Sequence, residues 1–232
     1  MADLSAFPIT KKWPAKDAGV LQLYSLATPN GIKVSAMLEE CGIAYEAHKI
    51  SFSDDDQFTP EFLSLNPNNK IPAILDPDGP DGPMGLWETG AILIYLAEKT
   101  GKFLPKDGPA RYETIQWVMW QMGGAGPMFG QFGHFFKYAA DKVANNPYPE
   151  ERYAGETRRL LGVLEGRLQG RDFIMGDEIT IADIAVWPWI RCLDTGYGAA
   201  ERLKLDEFPT VAKWLARIME RPASQVAVNV PA

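Results

Sequence analysis

The sequence predicts an α/β domain followed by an all-α domain. Up to about residue 105, short apolar segments of strand length alternate with segments of helical periodicity, in the order βαβαββα. Beyond a Pro/Gly-containing linker, Pro105–Pro109, the strand signals disappear and only helical periodicity continues. We therefore expect an N-terminal extension at residues 1–20, an α/β domain at 21–105 and a helical domain at 106–232.

The first domain begins with a strand and a helix. Within that helix, Val34, Met37 and Cys41 recur at helical spacing, and Gly42 is a typical stop. The predicted strands are Val20–Leu26, Ile43–Phe52, Ile71–Leu75 and Met84–Trp87. The predicted helices are Ile32–Cys41, Pro60–Leu65 and Glu88–Lys99, with a turn at Asp76–Pro83. This order predicts a small sheet with helices on both faces, parallel except at one edge.

The second domain is predicted to be helical throughout. Thr180 and Asp183 form a capping-box pattern that opens one helix, and another helix begins after Pro209. The glycine-rich stretch from Gly123 to Gly133 predicts an interruption between helices. The remaining predicted helices are Arg111–Met122, Phe135–Val143 and Glu150–Leu168.

Composition excludes several classes of function. The chain has a net charge of −7 and two histidines, which argues against nucleic-acid binding and against a His-rich metal site. The longest apolar run, Ala91–Ala97, is far shorter than the roughly 20 residues of a membrane-spanning helix. Two cysteines and the lack of a signal-peptide pattern predict a cytoplasmic protein without structural disulfides.

The sequence lacks the common catalytic motifs. It contains no GxxxxGK[ST], GxSxG, HExxH or CxxC pattern. The absence of CxxC is informative, because the order of elements in the first domain is thioredoxin-like.

Three loops at strand ends carry the polar groups that remain. Thr28 and Asn30 open a helix, whose positive end favours an anion such as a thiolate, although both are also ordinary capping residues. The Ile71–Pro72 bond is a candidate cis peptide, although about 95% of X–Pro bonds are trans. Glu88 and Thr89 suit the ammonium and carboxylate of an amino acid, or equally a capped surface helix. Together, the loops predict a site for a peptide with a thiol, an amine and a carboxylate, as in glutathione.

Several longer motifs resemble those of glutathione transferases. They include LYSLATPNGIKVSAMLEE, WETGAILIYLAEKTGKFLP and FPTVAKWLARIMERPA. More narrowly, TPNG, DQF, NPNNKIPA, QWVMWQMGGAGPM and GDEITIADIAVWPW resemble the bacterial nu class, the glutathione-dependent disulfide-bond oxidoreductases. The resemblance extends from Leu21 to Ala223. It implies a thioredoxin-like domain, a helical domain, a homodimer, and one or two glutathiones per site.

The resemblance also implies a role for particular residues. Thr28 and Asn30 would face the glutathione sulfur, Gln57 the glycyl end and Ile71 the cysteinyl backbone. Glu88 and Thr89, where the family usually has Ser, would hold the γ-glutamyl end, and Arg152 would reach glutathione from the helical domain. Lys70 and Gln121 are weaker candidates. The extension with Trp13 would cover the site or be disordered; the sequence leaves both open.

The expected chemistry is attack of glutathione thiolate on a disulfide, with a second glutathione resolving the mixed disulfide. We interpret Cys41 and Cys192 as small buried residues rather than nucleophiles. A conventional transferase or peroxidase is the alternative, which an essential Tyr or Ser such as Tyr24 or Ser25 would favour. A non-enzymatic glutathione-binding regulator is a third possibility.

Overall fold

The computed structural model describes residues 3–231, and its contacts divide the chain into two compact units. The first unit contains the residues up to Thr100 together with those from Pro222 onward, and the second is Gly101–Arg221. The strands are β1 Leu21–Ser25, β2 Tyr45–Lys49, β3 Ala73–Gly79 and β4 Gly82–Trp87. The helices are α1 Ile9–Lys12, α2 Pro29–Cys41, α3 Pro60–Leu65, α4 Thr89–Thr100, α5 Gly108–Trp120, α6 Gly126–Gly133, α7 Tyr148–Leu168, α8 Ile181–Arg191, α9 Ala200–Leu203, α10 Pro209–Met219 and α11 Pro222–Ala227.

The first unit is built on a four-stranded mixed sheet with the order β2-β1-β3-β4. β1 pairs with β2 in parallel, whereas the β1–β3 and β3–β4 pairs are antiparallel. The prediction of a sheet that is parallel except at one edge is therefore wrong. The one strand that runs opposite to the others is β3, a central strand, and apolar patterns identify strands without specifying their direction.

The β3–β4 hairpin is longer than predicted. The ladder continues to a Gly79–Gly82 pair, with an irregularity between Asp76 and Gly79, so the predicted turn at Asp76–Pro83 is wrong for most of its length. Gly82 has φ of 110°, a conformation that favours glycine. Turn-type residues occur inside these strands because the hairpin forms one edge of the sheet and contains a bulge.

Helix α2 starts three residues earlier than predicted. Pro29 occupies its first turn, which tolerates proline, and the Thr28 side chain caps it by accepting a hydrogen bond from Gly31 N at 3.4 Å. Its C-terminal end is at Gly42, in the left-handed conformation, as predicted.

The described part of the N-terminal extension packs on the first unit, a point that the sequence left open. Leu4 and Ile9 are buried in the same core cluster as Phe62. Trp13 makes edge-on ring contacts with Tyr24 at 6.3 Å and with Phe62 at 6.5 Å between ring centroids. The short helix α1 in this segment was not predicted.

The C-terminal helix α11 was also not predicted, and it belongs to the first unit. It packs against α2, where Ser35 Oγ donates a hydrogen bond to the Ala227 carbonyl oxygen at 3.1 Å. With α4 and α11 against it, α2 is buried around nearly its whole circumference.

The glycine-rich stretch of the second unit interrupts the α-helical pattern, as predicted, but it does so by π-helical turns rather than by a loop. α5 continues into a π-helical turn at Gln121–Ala125, then into α6 and a second π-helical turn at His134–Tyr138. A side chain at Gly133 would collide with the ring of Tyr197. Gly126, Gly130 and Gly133 therefore allow close packing against Trp189 and Tyr197. The predicted Phe135–Val143 helix is wrong, because a separate 3₁₀ turn holds Asp141–Val143.

The predicted capping box at the start of α8 is confirmed. Asp183 accepts hydrogen bonds from Thr180 N at 2.9 Å, from Ile174 N at 2.8 Å and from Trp214 Nε1 at 2.9 Å. Burial raises the pKa of this carboxyl group despite the donors. Asp183 thus ties α8 and α10 together. Within residues 3–231, no helix is long and apolar enough to cross a membrane.

Candidate functional site

Strand register brings the three predicted loops to one end of the sheet. Tyr24 on β1 is paired with Ala73 on β3, and Ala73 is paired with Trp87 on β4. Neighbouring strands lie about 4.8 Å apart. The C-terminal end of β1, the N-terminal end of β3 and the C-terminal end of β4 therefore lie side by side. Thr28, Ile71 and Glu88 each follow or precede one of these strand ends.

The first loop leads into α2 and offers donors at the positive end of that helix. Thr28 is extended, with φ of −97°, and caps the helix, while Asn30 lies in its first turn. A side chain at Gly31 would collide with the Leu26 carbonyl oxygen, so glycine is required for the tight approach of helix and loop. The capping interpretation of Thr28 is thus correct, and a cap at this position leaves the helix end able to stabilise an anion.

The second loop contains the cis peptide bond that the sequence suggested. The Ile71–Pro72 bond is cis, and the Ile71 side chain is buried. β3 begins at Ala73, so the backbone of Ile71 lies outside both ladders of that strand. This position suits pairing with the backbone of an extended peptide.

The third loop joins β4 to α4. Glu88 is exposed and has φ of 70°, a left-handed conformation that costs about 1 kcal/mol for a residue other than glycine. Its carbonyl oxygen accepts from Ile92 N at 2.9 Å, which places Glu88 directly before the first turn of α4. Thr89 is the first residue of α4 and is buried. Backbone strain of this kind is concentrated at functional sites.

Gln57 lies in a short 3₁₀ turn, Asp56–Phe58, that is tied to the end of β1. Ile50 N donates to the Ser25 carbonyl oxygen at 2.8 Å, and Ser51 N donates to the Asp56 carboxylate at 2.8 Å. The Gln57 side-chain oxygen is buried and has no hydrogen-bond partner among the described residues. Buried polar atoms are rarely left unsatisfied, so this oxygen fits an N–H group of a ligand such as a peptide amide.

Lys33 is a residue of this region that we did not predict. It is 1% exposed on α2, and its Nζ donates a hydrogen bond to Asn30 Oδ1 at 2.9 Å. Burial lowers the pKa of Lys33 to about 7, and the charge of Glu88 partly opposes that shift. A sequence signal existed: the lysine stands between two apolar residues, Ile32 and Val34, one turn after Asn30.

Two of the other predicted residues, Arg152 and Gln121, belong to the second unit, whereas Lys70 adjoins the second loop. Arg152 is an exposed residue of α7 in the second unit, and Gln121 is a buried residue of that unit. Lys70 is an exposed residue that precedes Ile71. Their part in binding stays a prediction.

The protein's own candidate nucleophiles are unsuited to attack. Tyr24 is fully buried in the core, and burial raises the pKa of its hydroxyl far above the ordinary value. Ser25 is also fully buried. Cys41 is buried at the far end of α2, and burial raises the pKa of the Cys192 thiol. Within the described residues, no group of three or more acidic, Cys or His side chains could hold a metal ion.

Comparison with known proteins gives the family. The model "Glutathione S-transferase, N-terminal domain" matches residues 28–99, and "Glutathione S-transferase, C-terminal domain" matches residues 128–222. The chain belongs to the glutathione transferase family. Its two-part architecture, a thioredoxin-like mixed sheet domain and a helical domain, is the fold of that family.

Two relatives described as disulfide-bond oxidoreductases support this membership. The disulfide-bond oxidoreductase YfcG of Escherichia coli is 45% identical over 90% of this chain and 94% of its own length. The disulfide-bond oxidoreductase YghU of the same organism is 46% identical over 88% of this chain and 72% of its own length.

Two solved structures resemble the fold over nearly its whole length. A Burkholderia graminis glutathione transferase with two glutathione molecules bound per subunit has a TM-score of 0.97 and 59% identity, covering 100% of this chain and 96% of its own. A Pseudomonas putida glutathione transferase with one glutathione disulfide bound per subunit has a TM-score of 0.96 and 55% identity, covering 99% and 100%.

Proposed function

We propose that this protein is a glutathione-dependent disulfide-bond reductase. One observation carries the proposal: the anion-stabilising end of α2 bears Thr28 and Asn30, while the cysteine on that helix, Cys41, is at its other end. At 1.5 Å per residue, Thr28 and Cys41 are about 20 Å apart along the axis. This distance favours a bound thiol as the source of the attacking sulfur, as does burial, which raises the pKa of the Cys192 thiol. The relatives named as disulfide-bond oxidoreductases favour the same reaction.

The reaction is a pair of thiol–disulfide exchanges. A free thiol of this kind has a pKa of about 8.5, so the protein must increase its thiolate fraction near neutral pH. The α2 N-terminus with Thr28 and Asn30 would supply that stabilisation. The thiolate attacks one sulfur of the substrate disulfide, a new S–S bond forms, and the other sulfur leaves as a thiolate that takes up a proton. A second glutathione thiolate then breaks the mixed disulfide, giving glutathione disulfide and the second thiol of the substrate.

Binding would use the polar groups at this end of the sheet. The Gln57 oxygen and the Ile71 backbone would pair with the peptide groups of glutathione, and Glu88 with Thr89 would hold its α-amino acid end. The two glutathiones, or one glutathione disulfide, bound per subunit in the similar crystal structures favour a site with room for both thiols. We further propose that Arg152 contributes from the helical domain, and that the protein acts as a homodimer in the cytoplasm. The sequence-based boundaries 1–20, 21–105 and 106–232 stay a prediction, and by contacts the extension and the residues from Pro222 onward group with the α/β part.

A two-substrate assay tests the proposal. We expect turnover of 2-hydroxyethyl disulfide with glutathione to exceed conjugation of glutathione to a chlorinated aromatic electrophile. Conjugation well above disulfide turnover would contradict the proposal and favour a conventional transferase. Glutathione binding with neither activity would favour a non-enzymatic regulator. Glutathione-dependent turnover of an organic hydroperoxide, compared with that of 2-hydroxyethyl disulfide, distinguishes a peroxidase from a disulfide reductase.

A further inference from the structure

A buried lysine stands beside one of the two proposed sulfur-binding side chains. Lys33 is fully enclosed on α2, and the carboxylate whose charge acts on its ammonium group, that of Glu88, is exposed. Helix side chains lean toward the N-terminus of their helix. The Lys33 side chain accordingly reaches back to the first turn of α2, where Nζ meets Asn30 Oδ1 at 2.9 Å.

This hydrogen bond determines which way the Asn30 amide faces. An ammonium group can only donate, so the amide oxygen must face Lys33. The amide nitrogen is then the atom that Asn30 presents on its other side. A donor is what a thiolate requires, whereas an amide turned the other way would present an oxygen and repel it.

A buried ammonium group is also electrostatically unfavourable near the N-terminus of α2. A positive charge near the N-terminus of a helix opposes the helix dipole, and burial adds to the cost. A protein that only needed to fill this space would use an apolar side chain, as Ile32 and Val34 do on either side.

We propose that Lys33 is a positioning residue for thiol activation, which holds Asn30 with its amide nitrogen toward the sulfur of bound glutathione and adds a buried positive charge beside it. The inference rests on the proposed function and deepens it. It also implies a pH limit. The Lys33 pKa of about 7 means that the group loses its proton near neutrality, and a neutral amine can donate or accept, so it no longer fixes the amide.

The charged groups around Lys33 are few. Glu88 approaches from the loop before α4 and favours the ammonium form. On α2, Glu39 and Glu40 stand nearly two turns further along, and α11 consists of Pro222–Ala227 with the sequence PASQVA, which has no ionisable side chain. On α4, the ionisable residues Tyr95, Glu98 and Lys99 lie in the second half of the helix.

A double-mutant cycle tests the inference. The proteins are wild type, Lys33→Met, Asn30→Ala and the double variant, with Lys213→Met on an exposed face of α10 as the matched control. Thiolate absorbance of bound glutathione is titrated with pH, glutathione affinity is measured by calorimetry, and kcat is measured for 2-hydroxyethyl disulfide. Because one pKa unit is a tenfold change in equilibrium, we expect Lys33→Met to raise the thiol pKa by about one unit and to lower kcat about tenfold near pH 6.5.

The cycle separates positioning from a general structural effect. If Lys33 acts through Asn30, Lys33→Met adds little in the Asn30→Ala background, because neighbouring residues in one network are not additive. If instead the two substitutions lower kcat independently, so that their effects multiply in the double variant, the inference is overturned. An unchanged thiol titration in Lys33→Met would also overturn it. Should Lys33→Met not fold, Lys33→Gln takes its place. Wild type that binds glutathione without reducing disulfides would refute the proposed function alone, since the thiol titration still tests Lys33. Wild type that does not bind glutathione would refute both.

Discussion

Lys12 Nζ lies 2.6 Å from Asp56 Oδ1, and Asp56 immediately precedes Gln57. The ion pair joins the N-terminal extension to the 3₁₀ turn that carries a proposed glutathione contact. Lys12 also lies over the ring of Trp13, 4.9 Å from its centroid, and Trp13 packs on the core. The extension is thus part of the first unit, and it contacts the 3₁₀ turn that bears Gln57.

Removing this ion pair should weaken glutathione binding modestly. A partly exposed pair contributes up to about 1 kcal/mol, or about fivefold in an equilibrium constant. We therefore expect Lys12→Met to raise the KM for glutathione about two- to fivefold with little change in kcat. Lys11→Met, its exposed neighbour, is the control. Equal KM values for the two variants would show that the extension does not support Gln57.

Tyr24 offers a test against the conventional transferase mechanism. Its hydroxyl is buried and has no hydrogen-bond partner among the described residues. Because a buried unpaired hydroxyl is unfavourable, Tyr24→Phe should keep disulfide turnover and raise the free energy of unfolding by up to about 1 kcal/mol. Denaturant unfolding and steady-state kinetics measure both quantities. Loss of turnover in a folded Tyr24→Phe protein would mean that the hydroxyl contacts the reacting sulfur.

Lys33 predicts how stability depends on pH. Its pKa is about 7 in the folded protein and near 10.5 when unfolded, so the unfolded chain binds more protons between these values. Stability from this group therefore rises with pH from about 7 to 10.5. Lys33→Met abolishes the effect, so we expect this variant to be more stable than wild type near pH 7, by at least about 1.4 kcal/mol, with the gap closing toward pH 10.5. A gap that does not depend on pH would argue that Lys33 is not buried.

Asp183 should be among the costliest positions to truncate. Asp183→Ala leaves Ile174 N, Thr180 N and Trp214 Nε1 without their acceptor. We expect a loss of about 3–5 kcal/mol in the free energy of unfolding. Asp183→Asn keeps one acceptor oxygen and should lose less. A similar loss in both variants would point to the charge rather than the hydrogen bonds.

Local signals explain which parts of the fold were predictable. The elements from β1 to α4 were found because apolar periodicity and stops such as Gly42 act within a few residues. The direction of β3 and the π-helical turns beside Gly133 depend on distant partners, such as Tyr197 against Gly133. A local pattern contains no information about such partners, so the direction of β3 was predicted wrongly and the π-helical turns were not predicted.

The site residues were also predictable where the signal was local and missed where it depended on distant partners. Thr28, Ile71 and Glu88 could be proposed because each is a distinctive residue at a strand end, where ligands commonly bind. Lys33 was missed because a lysine on a helix is normally exposed, and its burial depends on how α2 packs in the folded unit, which a local pattern does not contain.

The central claim is that the reacting sulfur belongs to glutathione and not to the protein. A variant with both Cys41→Ala and Cys192→Ala tests it, because the described chain then contains no thiol. Turnover of 2-hydroxyethyl disulfide with glutathione is measured for this variant and for wild type, with folding checked by thermal unfolding. The account predicts the same turnover within about twofold, since alanine at the buried Cys41 and the half-buried Cys192 changes packing only slightly. Loss of turnover in the folded variant would contradict it.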